Sequence, residues 1–205
     1  MAKAKILNRT LKTTFLVTAF LSIGWADTWE SLKTATGLVT SVRAEFTQEK
    51  HMEILSRPLV SGGVFFFQAP NSLRWEYRHP VRSILLLHNG KTKRFVQKDR
   101  GLVEDAAAGL QSMQMVVQEI TQWLNGRFDE NPAFTATLET GRKIVLTPKE
   151  KSLAKLIQRI EINLSERPAV IKSVMIYESR NSYTKLEFKN VTLNQRLEKA
   201  LFRKA

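Results

Sequence analysis

The chain has 205 residues, 32 Lys and Arg against 19 Asp and Glu, and no cysteine. That length suits one domain with a sizeable core, and the missing cysteine excludes both disulfides and an N-terminal acylated cysteine. A formal net charge of +13 suits contact with anionic lipid or an acidic partner, and reads equally as a charge that keeps the protein soluble.

The first segment addresses the protein. Met1 to Lys12 carries Lys3, Lys5, Arg9 and Lys12 with no acidic residue, and Thr13 to Ile23 is mostly apolar. Gly24-Trp25-Ala26 then places small residues where a signal peptidase reads. This is the pattern of a secretory signal peptide, predicting cleavage after Ala26 and a periplasmic location for residues 27–205. The apolar run of 11 residues is well short of the roughly 20 that span a bilayer, which argues against a retained anchor. Removing the four basic residues of this segment leaves the remainder clearly basic. Export argues against nucleic acid, and the basic residues are scattered along strands without a nucleic-acid motif.

Asp27 to Leu38 reads as a short amphipathic helix, with Asp27 or Thr28 as N-cap, Glu30 in the first turn and Gly37 at the end. Val42 to Lys50 alternates: Val42, Ala44 and Phe46 share one face, and Arg43, Glu45 and Thr47 the other. Gly63 to Gln68 forms the next strand, followed by a turn at Ala69-Pro70-Asn71. Leu73, Trp75 and Tyr77 then alternate with Arg74, Glu76 and Arg78 until Pro80. Ser83 to Leu87 and Lys93 to Gln97 flank Asn89-Gly90, a strong hairpin signal.

Asp105 to Asn125 changes period. Met113, Val116, Val117, Ile120, Trp123 and Leu124 recur at spacings of three and four, predicting an amphipathic helix closed near Gly126. Strands return at Phe134 to Glu139, Lys143 to Thr147, Gln158 to Leu164, Val170 to Ser179 and Tyr183 to Asn190. Turns fall at Thr140-Gly141, Glu166-Arg167-Pro168 and Ser179-Arg180-Asn181. The hairpins read as one meandering antiparallel sheet, mostly β with some α, and no linker divides two domains.

A curved antiparallel sheet with so few helices must carry them across its concave side, as a plug or lid over a hydrophobic cavity. Phe46, Phe65, Phe67, Leu73, Trp75, Met113, Ile120 and Trp123 are the candidate cavity and lid residues. The same stripes also read as ordinary core. Phe65-Phe66-Phe67 is the exception, because consecutive aromatics put bulk on both faces of a strand.

Catalytic patterns are weak. Ser152-Leu153-Ala154-Lys155 and Ser182-Tyr183-Thr184-Lys185 both spell S-x-x-K, but neither is joined by the S-D-N or K-T-G that complete the acyl-transfer signature. His51, His79 and His88 have no metal-ligand spacing. No catalytic residue, metal or cofactor is expected, and the reading is not an enzyme.

The order of motifs resembles the periplasmic outer-membrane lipoprotein carrier family LolA. The matching residues are Phe46-Thr47-Gln48, Ser61-Gly62-Gly63, Pro70-Asn71-Ser72-Leu73-Arg74-Trp75-Glu76-Tyr77 with Pro80 after it, Asn89-Gly90-Lys91, and Lys185-Leu186-Glu187-Phe188-Lys189-Asn190. The resemblance implies an incomplete, half antiparallel β-barrel with helices in its mouth. It also implies a monomeric chaperone that ferries acylated cargo from an inner-membrane ABC-type extractor to an outer-membrane acceptor. One position departs. The residue before the family's Pro is often a basic lid latch and is here Ala69, with Arg74 as the candidate substitute, although alternation sets it opposite Trp75. The basic tail Gln195 to Ala205 is short. A carrier of another lipid, such as a glycolipid or polyene, and a periplasmic lipid- or lipoprotein-sensing module are the alternatives.

Overall fold

The computed structural model describes residues 28–105 and 119–205. The signal segment, Met113 and most of the helix expected over Asp105 to Asn125 therefore lie outside the described residues.

The chain opens with α1 (Trp29–Gly37). Thr28 is its N-cap: the Ser31 backbone N–H donates to Thr28 Oγ1 at 3.1 Å, and the Thr28 N–H donates to Ser31 Oγ at 3.0 Å. This reciprocal pair satisfies donors that the first turn leaves without a partner. Six strands follow: β1 (Ser41–His51), β2 (Leu59–Gln68), β3 (Ser72–His79), β4 (Ser83–His88), β5 (Lys91–Lys98) and β6 (Gly101–Glu104). A helical segment, α2, covers 119–124. Then come β7 (Phe134–Glu139), β8 (Lys143–Pro148), α3 (Lys151–Ala154), β9 (Arg159–Leu164), β10 (Ile171–Tyr177), β11 (Tyr183–Leu193) and a 3-10 turn at Lys199–Phe202. Asn89 and Gly90 have φ of 50° and 73°, the paired positive values of the tight hairpin turn predicted there.

The strands make one antiparallel sheet of 11, in the order β6-β5-β4-β3-β2-β1-β11-β10-β9-β8-β7. It is open, with β6 and β7 as its edges. Two consecutive meanders meet at the β1–β11 ladder, where Phe46 faces Phe188 and Gln48 faces Leu186. The pairing shifts by one residue between Gly62 and Gly63, against Tyr77 to His79 of β3, and such a bulge bends and twists the sheet. Gly63 is needed there: a Cβ on it would lie 1.9 Å from the Glu76 carbonyl oxygen.

One face of the sheet carries the main core. Phe46, Phe65, Phe67, Leu73, Trp75, Leu85 and Leu87 from the first half join Ile144, Leu146, Ile160, Ile162, Val174 and Leu186 from the second. Leu32 and Val39, Ile120 and Trp123, and Phe128 close over that face. The period-two alternation of each strand is therefore the instruction that builds it.

The opposite face has a smaller core that the sequence did not announce. Val64, Ile84 and Leu86 are buried there, and so is Phe202 of the 3-10 turn, inside a tail legible beforehand only as basic. Arg74 and Glu76 lie on this face with side chains 8% and 10% exposed. Arg74 Nε and Nη2 donate to Glu76 Oε2 at 2.9 and 2.8 Å, while Arg82 Nη2 reaches Oε1 at 3.2 Å. Arg74 Nη1 also donates to the carbonyls of Leu201 and Lys204, at 3.2 and 2.7 Å. This clasp holds the C-terminal segment on the back of the sheet.

Two further elements escaped the pattern reading. β6 is too short to show a period, and α3 is a single turn inside a polar stretch.

Two outcomes follow from the clasp. Arg74→Ala strands a buried carboxylate and should lower stability by about 3 kcal/mol in urea denaturation, with the last ten residues becoming protease-sensitive. Burial alone raises the Glu76 carboxyl, but hydrogen bonds and charge from Arg74 and then Arg82 outweigh it and hold it below the ordinary value of 4.5. Its contribution is thus complete above that value and is lost as pH falls through the lower folded value. The acid limb of the stability–pH curve should flatten in Glu76→Gln; an unchanged limb would show that other carboxylates set it.

Candidate functional site

The core face is not filled evenly. Between the sheet and α2 lies a narrow apolar cleft with about 40 Å³ of free space, continuous with solvent. This is a slot and not an open chamber of the size usual for small-molecule sites. Val42, Ala44, Phe65 and Trp75 line it from the first half of the sheet, and Val174, Ile176, Leu186, Phe188 and Val191 from the second. Ile120, Trp123 and Leu124 close it from α2, and Ala169, Val170 and Ile171 from the start of β10. Every lining side chain among the described residues is apolar or aromatic.

Trp75 is the hub. Its ring meets Phe46 at 5.3 Å and Phe65 at 5.4 Å, both edge-on, and stacks at 6.3 Å on Tyr77. These are favourable aromatic arrangements and hold the indole rigidly. Trp75 is 5% exposed, yet its Nε1–H has no hydrogen-bond partner. A buried donor left unmade is a standing penalty of about 1–3 kcal/mol and calls for an explanation. Tyr77, in contrast, donates to Gln48 Oε1 at 2.8 Å, and burial pushes its phenol up to about 12, so it stays neutral.

Polar links tie the helical side to the rest of the protein. Asn125 Nδ2 donates to the Pro70 carbonyl at 3.1 Å, and Lys33 of α1 pairs with Asp129 at 3.1 Å. Gly126, at φ 74°, lets the chain pass against α1, since a Cβ there would sit 2.0 Å from Thr36 Oγ1. Glu119 Oε2 and Gln122 Oε1 of α2 are buried without partners. Burial raises the Glu119 carboxyl, against the opposing hydrogen bond from Asn131.

Of the residues singled out from sequence, Phe65, Trp75, Ile120 and Trp123 line the cleft together. Phe46, Phe67 and Leu73 belong to the core around it and are not among its lining residues. Met113 lies outside the described residues. Arg74 faces away from Trp75 and is engaged by Glu76 and the C-terminal segment on the back of the sheet. The β10 and β11 contributors were missed, although the alternation of Val174 with Ile176 and of Leu186 with Phe188 displays them.

The weak catalytic patterns resolve into structural contacts. Ser152 is exposed on α3 and donates to Glu150, and Lys185 pairs with Glu187 at 2.8 Å. His88 Nδ1 lies 2.8 Å from Ser72 Oγ, and His51 stacks on Tyr183. Among the described residues, no group of three or more His, Asp or Glu is placed to hold a metal ion, and no helix is long and apolar enough to cross a membrane.

The chain is similar to several known proteins. A LolA superfamily protein from Nitrosomonas europaea is 10% identical, with a TM-score of 0.42 over 87% of this chain and 99% of that one. A putative outer membrane lipoprotein-sorting protein domain from Vibrio parahaemolyticus is 7% identical, with a TM-score of 0.41 over 85% and 94%. LprF from Mycobacterium bovis is 11% identical, with a TM-score of 0.44 over 83% and 92%. No curated protein matches the sequence. The family model described as outer membrane lipoprotein carrier protein LolA matches residues 38–205, and the chain belongs to that family.

Proposed function

We propose that this protein is a periplasmic carrier that shelters the acyl chains of lipoproteins in the cleft between sheet and α2, and moves them from inner to outer membrane. The observation that carries the reading is the cleft itself, whose lining among the described residues is apolar throughout and comes from both halves of the sheet. Family membership and the N-terminal signal pattern support the periplasmic setting. On this reading an inner-membrane ABC-type extractor is the donor and an outer-membrane protein the acceptor.

Burial of acyl chains releases about 0.8 kcal/mol per methylene, roughly 12 kcal/mol for a 16-carbon chain. A carrier must give such cargo up again. Ile120 and Trp123 already bury apolar surface on the cleft wall, so cargo has to displace contacts that exist in the empty protein. The net affinity is the difference between two burials, and an acceptor needs to exceed only that difference. This makes α2 the movable lid of a two-state equilibrium. The unpartnered Glu119 and Gln122 oxygens favour opening, because both regain partners in water.

Trp75 gives the site its chemical selectivity. Its unpartnered N–H, set among apolar side chains, is suited to an ester or amide carbonyl at the head of an acyl chain. A plain hydrocarbon offers no such acceptor.

Uptake of a fluorescent acyl ester tests both parts. The chain has no cysteine, so Asn71→Cys with Asn125→Cys gives a unique pair near the Asn125–Pro70 contact. Joining them with a bis-maleimide should lower uptake at least tenfold relative to the same variant capped singly. Equal uptake would reject a movable lid. Trp75→Phe should weaken the ester probe about fivefold, the scale of one hydrogen bond, while a hydrocarbon probe of equal length is unaffected. Equal losses for both probes would assign Trp75 to packing alone.

A further inference from the structure

The large apolar side chains left in solvent are not scattered over the surface. Six of the eight found among the described residues are Ile54, Leu55, Leu59, Val60, Val81 and Leu156. The ladders place all six at one end of the sheet. His51 faces Tyr183 and Lys50 faces Leu59, so the β1–β2 connection (52–58) lies beside the β10–β11 turn (178–182). Tyr77 faces Ser83 and Lys98 faces Gly101, which brings the β3–β4 (80–82) and β5–β6 (99–100) turns to the same end. Tyr177 faces Arg159, which adds the β8–β9 connection (149–158). The other two exposed apolar residues lie elsewhere: Leu38 follows α1, at the far end, and Val103 is on the edge strand β6.

The charge of these five connections is also one-sided. They hold seven basic side chains, including Arg57, Arg100, Lys151, Lys155 and Arg180, against four acidic ones. One on each side is already engaged outside these connections, Glu178 with Lys50 and Arg82 with Glu76. The far end is basic too, through Arg142, Arg167, Arg196 and Lys199, but it exposes Leu38 alone among large apolar residues. Apolar tips and basic flanks coincide at one end only.

We infer that this end of the sheet docks directly on an anionic bilayer surface. Ile54 and Leu55 on the β1–β2 connection, Leu59 and Val60 at the start of β2, Val81 on the β3–β4 turn and Leu156 after α3 spread the apolar surface across several strands, with basic residues between them, an arrangement that suits an extended charged surface. Ile54, at 84% exposed, and Leu156, at 66%, reach furthest into solvent and would enter the acyl boundary, while the lysines and arginines meet anionic headgroups. α1 and the C-terminal segment pack at the far end, so docking leaves them clear: Thr40 N donates to Asn194 Oδ1 and Ser41 Oγ to the Gln195 carbonyl there. The inference goes beyond carriage of cargo and does not depend on it.

The absence of cysteine supplies a direct test. Leu156→Cys, Ile54→Cys and Leu38→Cys, each labelled with a polarity-sensitive dye, are mixed with vesicles containing phosphatidylglycerol and with vesicles of phosphatidylcholine alone. The dye at 156 and 54 should shift to the blue with the anionic vesicles, the dye at 38 should not, and salt should weaken the response. In co-flotation, Ile54→Asp with Leu156→Asp should reduce association with anionic vesicles about tenfold or more, with unchanged thermal stability because both positions are exposed. No shift with any vesicle, an equal shift at 38, or unaltered flotation of the double variant would overturn the inference. A concentration-dependent shift without vesicles would overturn it too, by assigning this end to contact between copies. Uptake of a soluble acyl probe, measured without vesicles, reports on the carrier reading separately.

Discussion

The β1–β11 ladder is the interaction on which the rest depends. β1 to β6 form one meander and β7 to β11 another, and this pairing alone joins them into a single sheet. It brings together residues more than a hundred positions apart, so its closure entropy has to be met before the two halves share a core. Phe46 against Phe188 and Gln48 against Leu186 set its register. A slip of one residue would send Phe46 and Val42 to the back face and empty the wall of the cleft.

Once the halves are joined, the two faces acquire different physics. The core face is wide, and α1 and α2 with their flanking residues cover it, leaving a narrow apolar slot among the described residues. The back face needs much less cover, and the C-terminal segment supplies it through Phe202 and the Arg74 clasp. A buried, fully hydrogen-bonded Arg–Glu pair resists local opening because separating it strands a charge. α2, with two buried oxygens lacking partners, has the opposite character. On the proposed reading, the protein yields where cargo enters and stays firm where the sheet is backed.

Much of this was legible beforehand. The alternation of Leu73, Trp75 and Tyr77 with Arg74, Glu76 and Arg78 assigned faces correctly, because a strand has no freedom to point neighbouring residues the same way. Phe65 and Phe67 go to the core face, and Phe66 goes to the other, where Arg43 lies 6.0 Å from its ring. The Asn89-Gly90 hairpin was equally clear, since few residue pairs accept two positive φ angles. The cleft was half legible. Phe65, Trp75, Ile120 and Trp123 are bulky enough to attract notice, while the smaller wall of Val42, Ala44, Val174, Val191 and Ala169 looks like any strand interior.

Local chemistry along the chain determined the strands, the turns, the facing of each side chain and the family motifs, because these depend on neighbours a few residues away. What only the tertiary structure decided was which distant elements meet. The tail folds back onto Arg74, six apolar tips gather at one end of the sheet, and Trp75 is left with an N–H that nothing satisfies. Each is a relation between segments far apart in the chain, and such relations come into being only when the β1–β11 ladder closes the sheet.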